Sequence, residues 1–131
     1  MRWWDSVAGW VRADPGALGD VVVARKDVAT SYHLAVVVDD ADQGVTDVVR
    51  GVDLFAATHV HRLLQALLGL PTPRYHHHPL LIGPDGERLA KRHGSPSLAA
   101  MRLAGDDGGD IARRLRARSP QGDVGFGAAI A

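Results

Sequence analysis

The chain has 131 residues, 15 basic and 15 acidic side chains, a formal net charge of zero and no cysteine. This length suits one ordinary domain with a single core, and the missing cysteine excludes disulfide frameworks, thiolate nucleophiles and Cys-ligated zinc or iron–sulfur sites. Zero net charge removes the global basic field that drives non-specific nucleic-acid binding, so any polyanion partner must be met by a local patch. No apolar run reaches the length of a membrane span, and Arg2 and Asp5 precede no apolar stretch that could serve as a signal peptide; the chain is expected to be cytoplasmic, with no membrane partner.

In chain order, residues 1–19 have an irregular pattern ending in the turn signal Asp14-Pro15-Gly16. Val21–Arg25 is a β-branched run between Gly19-Asp20 and Lys26-Asp27, which predicts a strand. Leu34–Val38 suits either a buried strand or a helix; the continuation to Gly44 without a turn favours a helix from Tyr32 closed by a glycine cap. Val45–Gly51 reads as a strand. Thr58 is the expected N-cap of a helix whose stripe is Val60, Leu63, Leu64, Leu67 and Leu68, stopped at Gly69 and Pro71.

Tyr75–Ile82 is predicted as a strand ending in the turn Gly83-Pro84-Asp85-Gly86, followed by a basic loop over 87–94. Ser97–Ala104 and Ile111–Arg118 are short helical candidates, and the Gly/Ala-rich end is expected to fray. Strands alternating with helices predict an α/β fold with a partly parallel sheet and flanking helices. No internal repeat is visible.

Three features could carry chemistry. His76, His77 and His78, with His59 and His61 upstream, suggest a metal, but consecutive strand residues point to opposite faces and do not converge on one ion. The sequence therefore predicts no metal site and a polar strand edge instead. Arg88, Lys91 and Arg92 could stabilise charge on a transferring phosphate, although by spacing alone a solvated basic loop is the commoner meaning. The arginines 113, 114, 116 and 118 could touch RNA, but a solvated helix face is the commoner meaning of such a cluster. An arginine at a strand end, Arg50, can hold a carboxylate by a two-pronged fork, with the Tyr32 hydroxyl orienting the same ligand, but by composition alone a packing tyrosine and a surface arginine are the commoner roles.

The runs Gly19–Asp27, Tyr32–Asp40, Gln43–Leu54 and Leu68–Pro71, continued by Tyr75, His77, Pro79-Leu80 and Asp85–Arg92, resemble the class I glutamyl-tRNA synthetase family. The likeness is strongest to its short branch, the glutamyl-Q tRNA(Asp) synthetases, and extends in register over roughly residues 2–98. The resemblance implies the second half of a Rossmann-like catalytic domain over 1–104, including a KMSKS-type loop, with a helical and Gly/Ala-rich tail over 105–131.

The resemblance also implies roles: Tyr32 and Arg50 bind L-glutamate, and Lys91 binds ATP phosphates in a loop completed by Arg88, Leu89, Ala90 and Arg92. The implied reaction is attack of glutamate on the α-phosphate of ATP, with Mg2+ present, and transfer of the glutamyl group to tRNA, tRNA(Asp) favoured over tRNA(Glu). Val28 stands where the family's turn commonly has glycine, which predicts a reshaped turn. Arg88 and Ala90 replace the lysine and serine of the usual signature, keeping the charge and losing a hydroxyl.

The family's HIGH motif and first nucleotide-binding half lie upstream of the matching region, and the zinc insertion of many glutamyl-Q enzymes is missing, so no zinc is expected. These departures imply a weakly active or inactive truncated protein. The alternative is a non-catalytic module that binds tRNA or complements a partner chain supplying the HIGH half.

Overall fold

The computed structural model describes residues 1–82, 89 and 97–118, arranged in two compact units, Met1–Leu80 and Leu81–Ala131. The first unit opens with a hairpin where the sequence pattern predicts irregular chain: β1 (Arg2–Asp5) runs antiparallel to β2 (Gly9–Arg12), with Trp4 opposite Trp10. The three-residue loop is fixed from both ends. The Asp5 carboxylate accepts the backbone N–H groups of Val7 and Ala8, each at 2.9 Å, and Gly9 adopts φ 76°, a left-handed conformation that suits a glycine. A 3-10 turn follows at Pro15–Leu18.

The β-branched run Val21–Arg25 forms no strand. The segment is mostly exposed and closes on itself through Arg25 N–H to the Val28 carbonyl and Ser31 N–H to the Val23 carbonyl, both 2.9 Å. β-propensity only expresses itself against a neighbouring strand, and no ladder partner lies beside this run among the described residues.

The helical reading of the next segment holds: α1 is Tyr32–Asp42, begun by Ser31, whose hydroxyl accepts the Leu34 N–H. β3 is Asp47–Gly51, and α2 is Ala57–Leu68, closed at Gly69 with φ 66°. A Cβ at Gly69 would meet no atom within 4 Å, so Gly69→Ala is expected to cost only the backbone strain of a left-handed alanine, about 1 kcal/mol in urea denaturation. Thr58 is not the N-cap. It lies inside α2, fully buried, and Ala56 occupies the cap position with no side-chain bond.

β4 is Arg74–His78, shorter than the predicted Tyr75–Ile82. The sheet order is β2-β1-β4-β3, with β4 parallel to both neighbours. The histidine run therefore sits in the middle of the sheet, not at a polar edge. Its period-2 alternation buries Tyr75 and His77 and turns Arg74 and His78 outward. α1 packs on α2.

In the second unit, α3 (Leu98–Leu103) is capped by the Ser97 hydroxyl and α4 covers Gly108–Arg118, starting three residues earlier than predicted. Arg113 pairs with Asp110, and Arg114 meets Asp106 at 3.0 Å on exposed surface, so both arginines hold carboxylates on a solvated helix face. No described helix is long and apolar enough to cross a membrane. Arg88, Ala90, Lys91, Arg92 and the Gly/Ala-rich end at 119–131 lie outside the described residues.

Candidate functional site

Burial in the first unit has an unusual composition. Its buried apolar side chains are Trp3, Val37, Ala57, Val60, Pro73 and Tyr75, and nearly as many polar ones are buried beside them: Asp5, Thr58, His61, Gln65 and His77. Polar groups removed from water need partners, so a core that is nearly half polar must be an ordered network. Its centre is Arg50.

The sheet register places it. Arg50 on β3 lies directly beside His77 on β4, Val48 lies beside Tyr75, and Tyr75 in turn neighbours Asp5 on β1. These side chains share the face covered by α2. The Arg50 Nε–H donates to His77 Nε2 at 3.0 Å, Nη1 donates to His61 Nδ1 at 3.3 Å, and Nη2 donates to the Thr58 hydroxyl at 2.5 Å and to the Leu54 carbonyl at 3.4 Å. The guanidinium also faces the Tyr75 ring, 5.2 Å from its centroid. These contacts occupy the whole Nε/Nη2 edge and leave one hydrogen, on Nη1. The two-pronged fork predicted for Arg50 is thus already engaged by the protein, and a ligand carboxylate would be met through Nη1.

The donors and acceptors fix the protonation of both central histidines. His77 Nδ1–H donates to the Asp5 carboxylate at 2.6 Å, leaving Nε2 as the acceptor for Arg50. Asp5 also accepts the His77 backbone N–H at 3.2 Å. Burial opposes its charge, but the N–H groups of Ala8, His77 and Val7 outweigh that and hold the Asp5 pKa below the usual carboxylate value. His61 accepts from Arg50 at Nδ1, so its Nε2–H donates to His33 Nδ1 at 3.0 Å. Burial first, then the charge of Arg50, push the His61 pKa down to about 3; burial also lowers that of His77. Both rings are neutral at pH 7.

A depressed histidine pKa has a definite stability signature. An unfolded His61 binds a proton below about pH 6.5, and the folded one refuses it until about pH 3. The unfolded state then holds more protons, so stability falls on acidification through that window. His61 alone is expected to cost about 2 kcal/mol at pH 5 relative to pH 8, read by urea denaturation at the two pH values, and His61→Gln should flatten the difference.

Tyr32, at the start of α1, is 51% exposed, and its ring lies 5.8 Å from that of His61 and 5.5 Å from that of His33. The structure therefore brings Tyr32 to the same histidine that Arg50 holds, with no direct contact between the two. Asp40, also on α1, is half-buried; burial raises its pKa while the charge of Arg50 works against the rise. Among the described residues no cluster of three His, Asp or Glu side chains could hold a metal.

The sequence singled out Tyr32 and Arg50, weighed His61 and His77 only as metal ligands and set that aside, and gave Asp5 and Thr58 no part in a site. One signal was available for Asp5: it shares strand parity with Trp3, so an acid and an indole point to one side.

Residues 1–115 match the family model described as the catalytic domain of class I tRNA synthetases, E and Q. The chain is 53% identical over 111 residues to a glutamyl-Q tRNA(Asp) synthetase of Rhodobacter capsulatus, covering 82% of this chain and 40% of that protein. It is 56% identical over 101 residues to one from Symbiobacterium thermophilum, covering 77% and 31%. Among solved structures, a glutamate-tRNA synthetase from Elizabethkingia anophelis matches with a TM-score of 0.62 at 29% identity, over 72% of this chain and 19% of that one. A glutamate tRNA ligase from Elizabethkingia meningosepticum, solved in complex with its amino acid, matches equally, with a TM-score of 0.62. The chain thus spans about 40% or less of the length of these curated relatives.

Proposed function

The chain belongs to the class I tRNA synthetases of the glutamyl and glutaminyl type, and from that membership we propose that it supplies the glutamate-anchoring and phosphate-binding part of a glutamyl-Q tRNA(Asp) synthetase. The observation that carries this reading is the fixed guanidinium of Arg50, held on its Nε/Nη2 edge by His77, Thr58 and Leu54 with one Nη1 hydrogen left over. A cation whose orientation is set before the ligand arrives costs little ordering on binding, which is what selection of a small carboxylate needs.

In this reading a glutamate carboxylate meets Arg50 Nη1, and Tyr32, exposed beside His61, orients the same ligand by its hydroxyl. Lys91 holds the phosphates of ATP, flanked by Arg88, Leu89, Ala90 and Arg92. Mg2+ bound with ATP would supply further neutralisation of the phosphate charge. The α-carboxylate oxygen attacks the α-phosphorus, the bond to the β-phosphate oxygen breaks, and pyrophosphate leaves; an RNA hydroxyl then attacks the glutamyl carbonyl, the bond to the phosphate oxygen breaks, and AMP leaves. The relatives' names favour tRNA(Asp) over tRNA(Glu) as the acceptor. The chain's own contribution is positioning and cationic stabilisation, the larger part of catalysis in phosphoryl-type transfer.

Two measurements test the proposal. Glutamate at a hundred times its Kd is expected to stabilise the 131-residue chain by about 2.7 kcal/mol, a thermal shift of several degrees; no shift refutes the glutamate reading. Glutamate-dependent ATP–pyrophosphate exchange by these 131 residues alone is expected to stay near background and to rise when a polypeptide carrying the HIGH half is added. Exchange by the chain alone at the rate of a full-length enzyme would refute the division of the site.

A further inference from the structure

We infer that Asp5 and His77 are positioning residues for Arg50: the Asp5 carboxylate selects the Nδ1–H tautomer of His77, and the unprotonated Nε2 then holds the guanidinium so that its remaining Nη1 hydrogen faces the ligand. The inference deepens the proposed function and rests on it only for the ligand; the tautomer and the arginine geometry are separately measurable.

The two carboxylate oxygens of Asp5 are divided between two tasks. Oδ1 accepts the hairpin amides of Val7 and Ala8, while Oδ2 accepts both N–H groups of His77, the ring one at 2.6 Å. Hairpin closure therefore needs only one oxygen, and the other is committed to the histidine. Both side chains are buried, Asp5 completely and His77 to 4% exposure, so water cannot replace either partner. A His77 ring protonated at Nε2 would set an N–H against the Arg50 Nε–H 3.0 Å away, two donors facing one another. The arginine can occupy its place only while Nδ1 carries the ring hydrogen, and Asp5 is the group that keeps it there.

The remaining groups around the guanidinium do not substitute for this control. His61 and Thr58 from α2 contact the Nη atoms, Tyr75 on β4 presents its ring face, and Asp40 from α1 acts through its charge; His33 reaches Arg50 only through His61. The Thr58 hydroxyl also lies 3.2 Å from His77 Nε2, but a hydroxyl can donate to that nitrogen or accept from it, so it selects neither tautomer. Among the described residues, His77 alone bonds Nε, the atom that fixes the plane of the fork.

The test uses the full 131-residue chain labelled with 15N at histidine and arginine, together with glutamate titration by calorimetry and thermal unfolding of each variant. In the unsubstituted chain the His77 ring is expected in the Nδ1–H form, with the Arg50 Nε–H protected from solvent exchange. In Asp5→Asn, an amide NH2 turned to the hairpin would oppose two fixed backbone N–H groups; turned to His77 it opposes one, and the ring can switch tautomer to accept it. Asp5→Asn is therefore expected to convert His77 to the Nε2–H form, to lower Arg50 Nε–H protection at least tenfold and to weaken glutamate binding by a similar factor. His77→Phe should do the same to Arg50 and glutamate, and His77→Gln, which keeps one donor toward Asp5 and one acceptor toward Arg50, should recover most of the loss.

A His77 ring that stays Nδ1–H in Asp5→Asn, or that switches while Arg50 stays protected, overturns the inference, as does equal loss in His77→Phe and His77→Gln. If the Phe variant does not fold, the Asn and Gln variants still decide. A tautomer that governs Arg50 in a chain that never binds glutamate would retain the positioning roles and reject the glutamate reading.

Discussion

Replacing Arg50 with alanine is expected to abolish glutamate binding and to lower stability by about 2–4 kcal/mol. The two effects have one origin. The guanidinium is the donor for His77 Nε2, His61 Nδ1, the Thr58 hydroxyl and the Leu54 carbonyl, in a region where Thr58, His61 and His77 are all buried. An alanine leaves His61 Nδ1 and the Thr58 oxygen facing a cavity, with the single Thr58 hydroxyl hydrogen left to serve either His77 Nε2 at 3.2 Å or the Leu54 carbonyl at 3.4 Å, and buried acceptors without donors carry the full cost of desolvation. Arg50→Lys keeps the charge but offers three donors on a flexible stem with no planar fork, so it is expected to recover less than half of the lost stability and little of the binding. The pH profile separates this account from simple loss of packing. The charge of Arg50 is second only to burial in depressing the His61 pKa, so in Arg50→Ala that pKa rises and the loss of stability between pH 6.5 and about 3 becomes shallower. Urea denaturation at pH 8 and pH 5 reads both numbers; an Arg50→Ala chain as stable as its parent, with an unchanged pH slope, would show that the network contributes nothing.

Trp3→Ala is expected to have the largest effect on the fold itself, a loss of about 3–5 kcal/mol. Trp3 is 1% exposed and is the largest side chain of the apolar core. Its ring contacts those of Phe55 at 4.9 Å, Tyr75 at 5.4 Å, His77 at 5.7 Å and His59 at 5.9 Å, joining β1 to β4 and to the chain around α2. Few other apolar groups are buried, so the cavity has little from which to refill. Against a typical total of about 5–15 kcal/mol, the substitution is expected to leave a substantial unfolded fraction in equilibrium unfolding at 25 °C. Trp3→Phe provides the contrast. The indole Nε1–H is buried with no partner among the described residues, and phenylalanine removes that unmet donor along with one ring, so it is expected to cost about 1–2 kcal/mol. A phenylalanine variant as damaged as the alanine variant would refute this.

The parts of the fold legible in the sequence were those governed by local pattern. The stripe of Val60, Leu63, Leu64, Leu67 and Leu68 with its Gly69 stop marked α2, and the apolar run from Leu34 to Val38, continuing without a turn as far as Gly44, marked α1. Long-range pairing was not legible. Val21–Arg25 has stronger β-propensity than Arg2–Asp5, yet the latter is the strand because β4 lies beside it. The hairpin was signalled only by Asp5 and Gly9 at the ends of its three-residue loop. Thr58 looked like a cap because hydroxyls are common there, while its burial against Arg50 depends on β3 approaching from the other side. The roles of Tyr32 and Arg50 came from resemblance to a family. The Asp5–His77–Arg50 chain joins three strands that have no recognisable spacing, so only the sheet register brings it into view.

That register has a consequence for the order of assembly. Asp5 and His77 are 72 positions apart, and the parallel pairing of β1 with β4 cannot begin until everything between them has been made. The β1–β2 hairpin and the helices are local and can form early, whereas closing so long a loop is slow and comes late. During synthesis β1 cannot pair with β4 until about seventy further residues emerge, several seconds at typical translation rates. The arginine network is thus a late product of folding, complete only when β1 finds a strand made about seventy residues after it.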